Sequence, residues 1–338
     1  MIREAIERLA RFDPLTSAEA ATVMGEIVRG EATPAQIAAF ITALRCKGET
    51  IEEITGCARA MRAEARAITL DADVILDTCG TGGDGARTFN ISTATALVAA
   101  GAGVTVAKHG NRAVSSSCGS ADVLEGLGVK IDLTPEAVKE CIEEVGIGFL
   151  FAPVFHQAMK HAIGPRREIG IRTVFNILGP LTNPAGANVN VMGVYSAQLT
   201  EVMAHVLDNL GSKRCIVVHG KDGLDELSIA GPSQVSELQP IGVTNYEVSP
   251  EDVGLARHDL SEIAGGTVEQ NVRILLDVLQ GKEGAAREAV ILNGAAAMVV
   301  AGKCSTLREG VEIARAAIDS GSAMQKLDAL RGFTARFA

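Results

Sequence analysis

The sequence predicts an α/β protein: a small helical domain joined to a larger α/β domain with a mostly parallel central sheet. Two textures carry that expectation. Residues 1–70 show helix-start signals followed by apolar residues at helical spacing, and from Asp73 short apolar strands alternate with Gly-rich turns and helices. Length agrees, because 338 residues exceed one ordinary core and favour two domains.

Three start signals define the opening helices, each with the residue pattern of a capping box. Thr16 with Glu19 precedes Ala20, Val23, Met24 and Ile27. Thr33, with Pro34 at the first helical position and Gln36 beyond it, precedes Ile37, Phe40, Ile41 and Leu44; Thr50 pairs with Glu53. Further on, Val74-Ile75-Leu76 reads as a strand running into Gly80-Thr81-Gly82-Gly83-Asp84-Gly85, and Ile91 to Ala100 reads as a helix. The unit repeats with a strand at Val104 to Ala107, a polar loop from Lys108 to Gly119 and a short helix from Ala121 to Leu127. Thr134-Pro135 opens another helix, and Gly148 to Phe151 is a buried strand by its unbroken hydrophobicity. Residues 153–185 are mainly helical again and are expected to rejoin the opening helices. Strands at Val189 to Tyr195 and Cys215 to Gly220, with a helix from Leu199 to Leu210 between them, resume the α/β pattern, and amphipathic helices follow Thr267. The expected helical domain is therefore 1–70 with about 165–188, and the expected α/β domain is 73–164 and 189–338.

Composition excludes several functional classes. Hydrophobic residues make up 47% of the chain and charged residues 21%, the balance of a globular protein. Every apolar run is broken well short of the ~18 residues a membrane span needs, and no signal-peptide pattern opens the chain, so a cytoplasmic protein without membrane contact is expected. The net charge of -10, with no compensating block of Lys and Arg, argues against a nucleic-acid partner. The seven cysteines show no CxxC spacing, which suggests neither a disulfide framework nor a zinc site; reduced, mostly buried thiols are expected. His156 and His161 stand five apart on a helix and so do not share a face as metal ligands would, which leaves them surface or packing roles.

Three loops carry the chemistry. Gly80 to Gly85, between a strand and a helix, lets backbone N–H groups approach an anion with no side chain in the way; this describes a phosphate or pyrophosphate cradle, although such a turn can also be a plain tight connection. It lacks the GK[ST] of a P-loop and is not a GxGxxG with an acidic ribose partner, so a nucleoside triphosphatase or a Rossmann dehydrogenase is disfavoured. Asn90, Ser92 and Thr93 place small polar groups at the start of the next helix, where anions are attracted. The second loop concentrates Lys108, His109, Asn111, Arg112 and four serines, Ser115, Ser116, Ser117 and Ser120. The third, His219 to Glu226, ends in adjacent carboxylates that suit Mg²⁺, which needs only one or two protein carboxylates beside phosphate oxygens; a solvated acidic turn is the bland alternative. In parallel sheets, loops at the carboxyl ends of strands gather on one edge, so these loops should face one crevice.

Taken in order, Gly80-Thr81-Gly82-Gly83-Asp84, Asn90-Ile91-Ser92-Thr93, Lys108-His109-Gly110-Asn111-Arg112, Asn176 to Pro184 and Asp225-Glu226 resemble the anthranilate phosphoribosyltransferase family over nearly the whole chain. The resemblance implies a fold related to pyrimidine nucleoside phosphorylases, a homodimer formed through the helical domain, and a Mg²⁺-dependent step of tryptophan biosynthesis in which anthranilate displaces pyrophosphate from phosphoribosyl pyrophosphate. Carried across by motif, it implies that Gly80, Gly83, Asp84, Thr88, Asn90, Ser92, Thr93, Lys108 and Ser120 hold phosphoribosyl pyrophosphate. It implies that Ser92, Asp225 and Glu226 serve the metal, and that Gly80, His109, Asn111, Arg166 and Gly179 meet anthranilate. A nucleoside phosphorylase of the same architecture is the rival, but Asp225-Glu226 and Lys108 to Asn111 fit a metal–pyrophosphate donor better. Cys79 and Cys118, although inside the loops, have no nearby base in sequence to make either a nucleophile.

Overall fold

Thr16, Thr33 and Thr50 each cap a helix with a reciprocal box: Ser17–Val28 with Glu19, Pro34–Lys47 with Gln36 and Ile51–Ala63 with Glu53. A shorter helix, Ile2–Ala10, precedes them. The computed structural model describes residues 1–113 and 117–337; Val114, Ser115 and Ser116 of the second loop lie outside them. The buried faces of the four opening helices form one apolar core with Ala162, Val174, Phe175, Ile177, Leu178 and Leu181. That core continues onto a sheet, taking in Met192, Val194, Cys215, Val217 and Leu238.

The sheet has seven strands in the order β3-β2-β1-β4-β5-β6-β7. These are β1 Leu76–Asp77, β2 Val106–Gly110, β3 Ile147–Phe151, β4 Val189–Gly193, β5 Arg214–Gly220, β6 Ser233–Gln239 and β7 Gly242–Val248. Strands β1 to β5 are mutually parallel, while β6 and β7 form an antiparallel hairpin at the edge. The period of two along a strand divides the cores: Ile216 and Val218 of β5 enter the large core, while Cys215 and Val217 face the helical one. Helices Ile91–Gly101 and Ala285–Val300, nearly all buried, fill the large core.

Several elements differ from the sequence reading. β1 is only two residues long and β2 runs on to Gly110, so Lys108 and His109 belong to a strand and are buried, at 3% and 4% exposure, instead of opening a polar loop. The β6–β7 hairpin was not expected. Its outer strand has a polar, largely exposed pattern in Thr244, Asn245 and Glu247, as an edge strand with one open face does.

The chain order explains where a ligand belongs. Neighbouring strands β1 and β4 lead on to β2 and β5 in opposite directions, so the connections leaving them diverge at their carboxyl ends, which is where open α/β sheets hold a ligand. Asn183 stiffens the sheet here: its amide donates to Asp77 Oδ2 and to the Ala107 carbonyl, both at 2.7 Å, tying β1 to β2. Asp77 also accepts from the His109 backbone N–H at 3.1 Å. Burial raises its carboxyl to about 6 against the pull of nearby Lys108. Replacing Asn183 with Leu removes both bonds and strips a buried carboxylate of a donor, so unfolding by urea should show a loss of about 2–4 kcal/mol; a loss under about 1 kcal/mol would contradict this role.

Candidate active site

The glycine loop is stitched to the end of β4 and to the third loop. Thr81 N–H donates to the Gly193 carbonyl at 2.8 Å, and Tyr195 N–H donates to Thr81 Oγ1 at 3.1 Å. Gly82 N–H donates to Asp225 Oδ2 at 2.8 Å. Gly82 and Gly83 have φ of 64° and 77°, a left-handed backbone that glycine adopts without strain. A Cβ on Gly80 would sit tightly, 3.1 Å from Asp225 Oδ2, and one on Gly193 would collide with the Asp225 carbonyl, so close approach requires glycine at 193. Arg172 donates to the Gly83 carbonyl while its guanidinium lies 4.5 Å over the Tyr195 ring. Nothing in the sequence singled out Arg172, because a lone arginine between helical stretches carries no motif.

Asp84, Asp225 and Glu226 form a carboxylate cluster. Asp84 Oδ2 accepts from the Asp225 backbone N–H at 3.3 Å, and Glu226 accepts from Ser92 Oγ at 2.6 Å. Burial raises the Asp225 carboxyl well above its usual range, and the charges of Glu226 and Asp84 raise it further. Burial likewise raises Glu226, against the Ser92 hydroxyl and the Lys108 ammonium. Lys108 Nζ in turn donates to the Thr78 carbonyl at 3.0 Å, at the root of the glycine loop. Gly82 and Asp225 are thus bonded to one another, with the Lys108 ammonium close to Glu226 beside them.

The second loop contributes neutral and structural groups. His109 Nδ1 lies 3.2 Å from the Gly179 carbonyl, which can only accept, so Nδ1 carries the proton and Nε2 is an acceptor. Nε2 is buried and has no partner among the described residues. Burial, then the charges of His156 and Lys108, lower the ring to about 3. The His156 ring stands 5.1 Å away, itself lowered to about 4 by burial, so the packing role expected for it falls beside the site. Asn111 accepts from Ala121 N–H at 3.1 Å and from Ser120 Oγ at 3.3 Å through its carbonyl. Arg112 bonds Asp122 at 3.0 Å and Glu125 at 2.9 Å on the following helix, which makes it a brace for the loop.

The remaining expected residues are spread around these loops. Asn90 Nδ2 donates to the Cys118 carbonyl at 3.1 Å, joining the first loop to the second. Thr88 forms a bridge with Ala264, and Thr93 is buried in the first turn of helix Ile91–Gly101. Arg166 is half-buried over the Phe175 ring at 5.1 Å, its guanidinium lowered by burial, and among the described residues no carboxylate pairs with it. It makes no bond to His109 or Asn111; Phe175, under its guanidinium, stands four residues before Gly179, the partner of His109. Burial pushes the thiols of Cys79 and Cys118 up to about 12 and 11, which suits neither to act as a nucleophile. Asp77, Cys79 and His109 also bring ligand-type atoms within 4.8 Å of one another, but the Asp77 oxygens are already committed to Asn183 and the His109 backbone.

A two-domain chain with a glycine-rich loop, a buried lysine and paired acids at a sheet switch point fits a glycosyl transferase. Residues 72–324 match the glycosyl transferase family, a/b domain, and residues 3–65 match the helical bundle domain of that family. The anthranilate phosphoribosyltransferase of Moorella thermoacetica is 57% identical over 330 residues, 98% of this chain and 97% of that protein. The crystal structure of the Thermus thermophilus anthranilate phosphoribosyltransferase superposes with a TM-score of 0.93 at 45% identity, covering 98% of this chain and 99% of that one. The Saccharomyces cerevisiae enzyme in complex with PRPP and Mg gives 0.90 at 30% identity, covering 99% and 98%. The chain belongs to the anthranilate phosphoribosyltransferase family.

The raised carboxyls give the site a pH signature. For a carboxyl whose folded value exceeds its unfolded one, the folded state holds more protons between the two values, so stability falls as pH rises across that window. For Glu226 the window runs from 4.5 to about 7. The neutral histidines His109 and His156 have the opposite slope, so the informative quantity is a difference between proteins. In Mg²⁺-free buffer, Asp225→Asn with Glu226→Gln should gain melting temperature relative to the unsubstituted protein as pH rises through that window; parallel curves would show that the acids ionise without cost.

Proposed function

We propose that this chain transfers the 5-phosphoribosyl group of phosphoribosyl pyrophosphate to the amine of anthranilate, releasing pyrophosphate. One set of contacts supports the reading: Gly82 is bonded to Asp225, Ser92 to Glu226, and Lys108, whose charge reaches Glu226, to the Thr78 carbonyl at the root of the glycine loop. The relatives that match over nearly the whole length bear the same activity in their names.

Gly80, Gly83, Asp84, Thr88, Asn90, Ser92, Thr93, Lys108 and Ser120 take the donor in this reading, with the loop glycines putting no side chain between the backbone and phosphate oxygens. Ser92, Asp225 and Glu226 fit Mg²⁺, since buried like charges beside a hydroxyl and a phosphate ligand are in want of a cation. Bound there, Mg²⁺ neutralises charge on the departing pyrophosphate. Lys108, held rigid by the Thr78 carbonyl, adds positive charge where the leaving group gains negative charge, so it stabilises the transition state more than the ground state. Gly80, His109, Asn111, Arg166 and Gly179 receive anthranilate. His109, uncharged and fixed by Gly179, offers a lone pair instead of a cation, and an aromatic amine needs no strong base. Alignment of its nitrogen behind C1 supplies the rest. The assembly we assign is a cytoplasmic homodimer, paired through the helical domain formed by 1–70 with 165–188.

The direct test mixes the protein with phosphoribosyl pyrophosphate, Mg²⁺ and anthranilate and follows the loss of anthranilate fluorescence; no loss sinks the assignment. Asp225→Asn with Glu226→Gln should lower turnover and weaken its Mg²⁺ dependence, and an unchanged Mg²⁺ titration would remove the metal role. Arg166 can meet the ortho carboxylate through two parallel hydrogen bonds. Arg166→Ala should therefore raise KM for anthranilate by about tenfold or more and KM for the donor far less, since a lost charged pair costs about 1.5–3 kcal/mol. An equal rise in both would count against it.

A further inference from the structure

A strap from a distant part of the chain runs across the backs of both phosphate loops. Phe89 N–H donates to the Ile263 carbonyl at 3.1 Å and Gly265 N–H donates to the Arg87 carbonyl at 2.8 Å. Ser117 Oγ donates to the Gly266 carbonyl at 2.7 Å, so the second loop is held too. A Cβ on Gly265 would lie 2.7 Å from the Thr88 carbonyl and 2.8 Å from Asn271 Oδ1, which leaves glycine as the residue that permits the approach.

The strap leads into helix Val268–Leu279, whose first turns bury Asn271 at 2% exposure. Gly266 N–H donates to Asn271 Oδ1 at 2.8 Å, Asn271 Nδ2 donates to Asn90 Oδ1 at 3.0 Å, and Asn90 Nδ2 donates to the Cys118 carbonyl at 3.1 Å. The two ends of this relay are backbone groups of fixed character. A Gly266 N–H can meet only an oxygen, which forces Asn271 to present its nitrogen to Asn90, and the Cys118 carbonyl requires the nitrogen of Asn90 on its side. Both amides are therefore locked in one orientation. The Asn90 oxygen is taken by Asn271 and lies 3.5 Å from the Cys118 thiol, which also donates to it. What Asn90 has left among the described residues is its second N–H.

We propose that Asn271 is a positioning residue: it fixes the Asn90 carboxamide so that Asn90 offers an N–H, never a lone pair, to the phosphate-bearing donor substrate. The inference rests on the proposed function, in which Asn90 touches that donor. An oxygen in the same place would repel the anion, so the sense of the amide matters as much as its position.

Asn271→Asp keeps the shape and still accepts from Gly266, yet cannot donate to Asn90, which must turn its nitrogen inward. KM for phosphoribosyl pyrophosphate should rise about tenfold, equivalent to about 1.4 kcal/mol, with KM for anthranilate and kcat nearly unmoved. Asn90→Ala should raise the same constant. In Asn90→Ala with Asn271→Asp the second change should add almost nothing, because the group it misdirects is gone. Asn271→Ala, which frees the Asn90 amide instead of inverting it, should give a smaller rise and replaces the aspartate in the cycle if that variant does not fold. If Asn90→Ala raises KM for the donor while neither Asn271 variant does, or if the two changes combine additively, the inference is overturned and the donor reading stands. If Asn90→Ala leaves that KM unchanged, the placement of the donor against this loop fails and takes the inference with it.

Discussion

Buried like charge is the constraint on which the rest of this molecule turns. Asp84, Asp225 and Glu226 crowd together near the Lys108 ammonium, and the carboxyls of Asp225 and Glu226 resist ionisation because burial and the neighbouring negative charges both oppose it. Such an arrangement is unfavourable for folding, and a bound cation would relieve it. The surroundings are built to hold it in place. Gly82 lends an amide to Asp225, Ser92 a hydroxyl to Glu226, and the bare glycines Gly80 and Gly193 let the acidic turn come within contact of the first loop.

Much of this was legible from the residues because the signals are local. The three threonine capping boxes appear where expected, since a cap is a contact between residues three apart. The glycine loop and the acidic pair were visible as loops between strands and helices, and the parallel order followed from strand–helix alternation. The hairpin β6–β7 escaped because its outer strand is polar on its exposed residues and offers no apolar pattern to read. Lys108 and His109 were assigned to a polar loop for a related reason: a charged residue followed by histidine looks solvated until the partner carbonyl of Thr78, thirty positions back, is known.

What could not be read at all is the set of supports that come from far along the chain. Arg172 reaches Gly83 across 89 positions and Asn271 reaches Asn90 across 181. The sequence leaves His156 a surface or packing role, and only the fold brings its ring against His109. A single arginine, asparagine or histidine carries no pattern of its own. Its meaning is set by the partner that tertiary structure supplies.

The segment from Arg172 to Asn183 shows how these supports tie the two cores into one device. Its apolar residues Val174, Phe175, Ile177, Leu178 and Leu181 are buried with the opening helices. Its polar groups face the other way: Arg172 holds the glycine loop, the Gly179 carbonyl sets the His109 tautomer, and Asn183 joins β1 to β2 beneath both. Both the glycine loop and the neutral histidine are therefore positioned by a stretch whose own footing is the helical core. A shift of that core relative to the sheet would act on both at once, because the same dozen residues cannot move under one loop and stay still under the other. The small helical domain is thus a working part of the site even though the carboxylates, the lysine and the glycines all belong to the larger one.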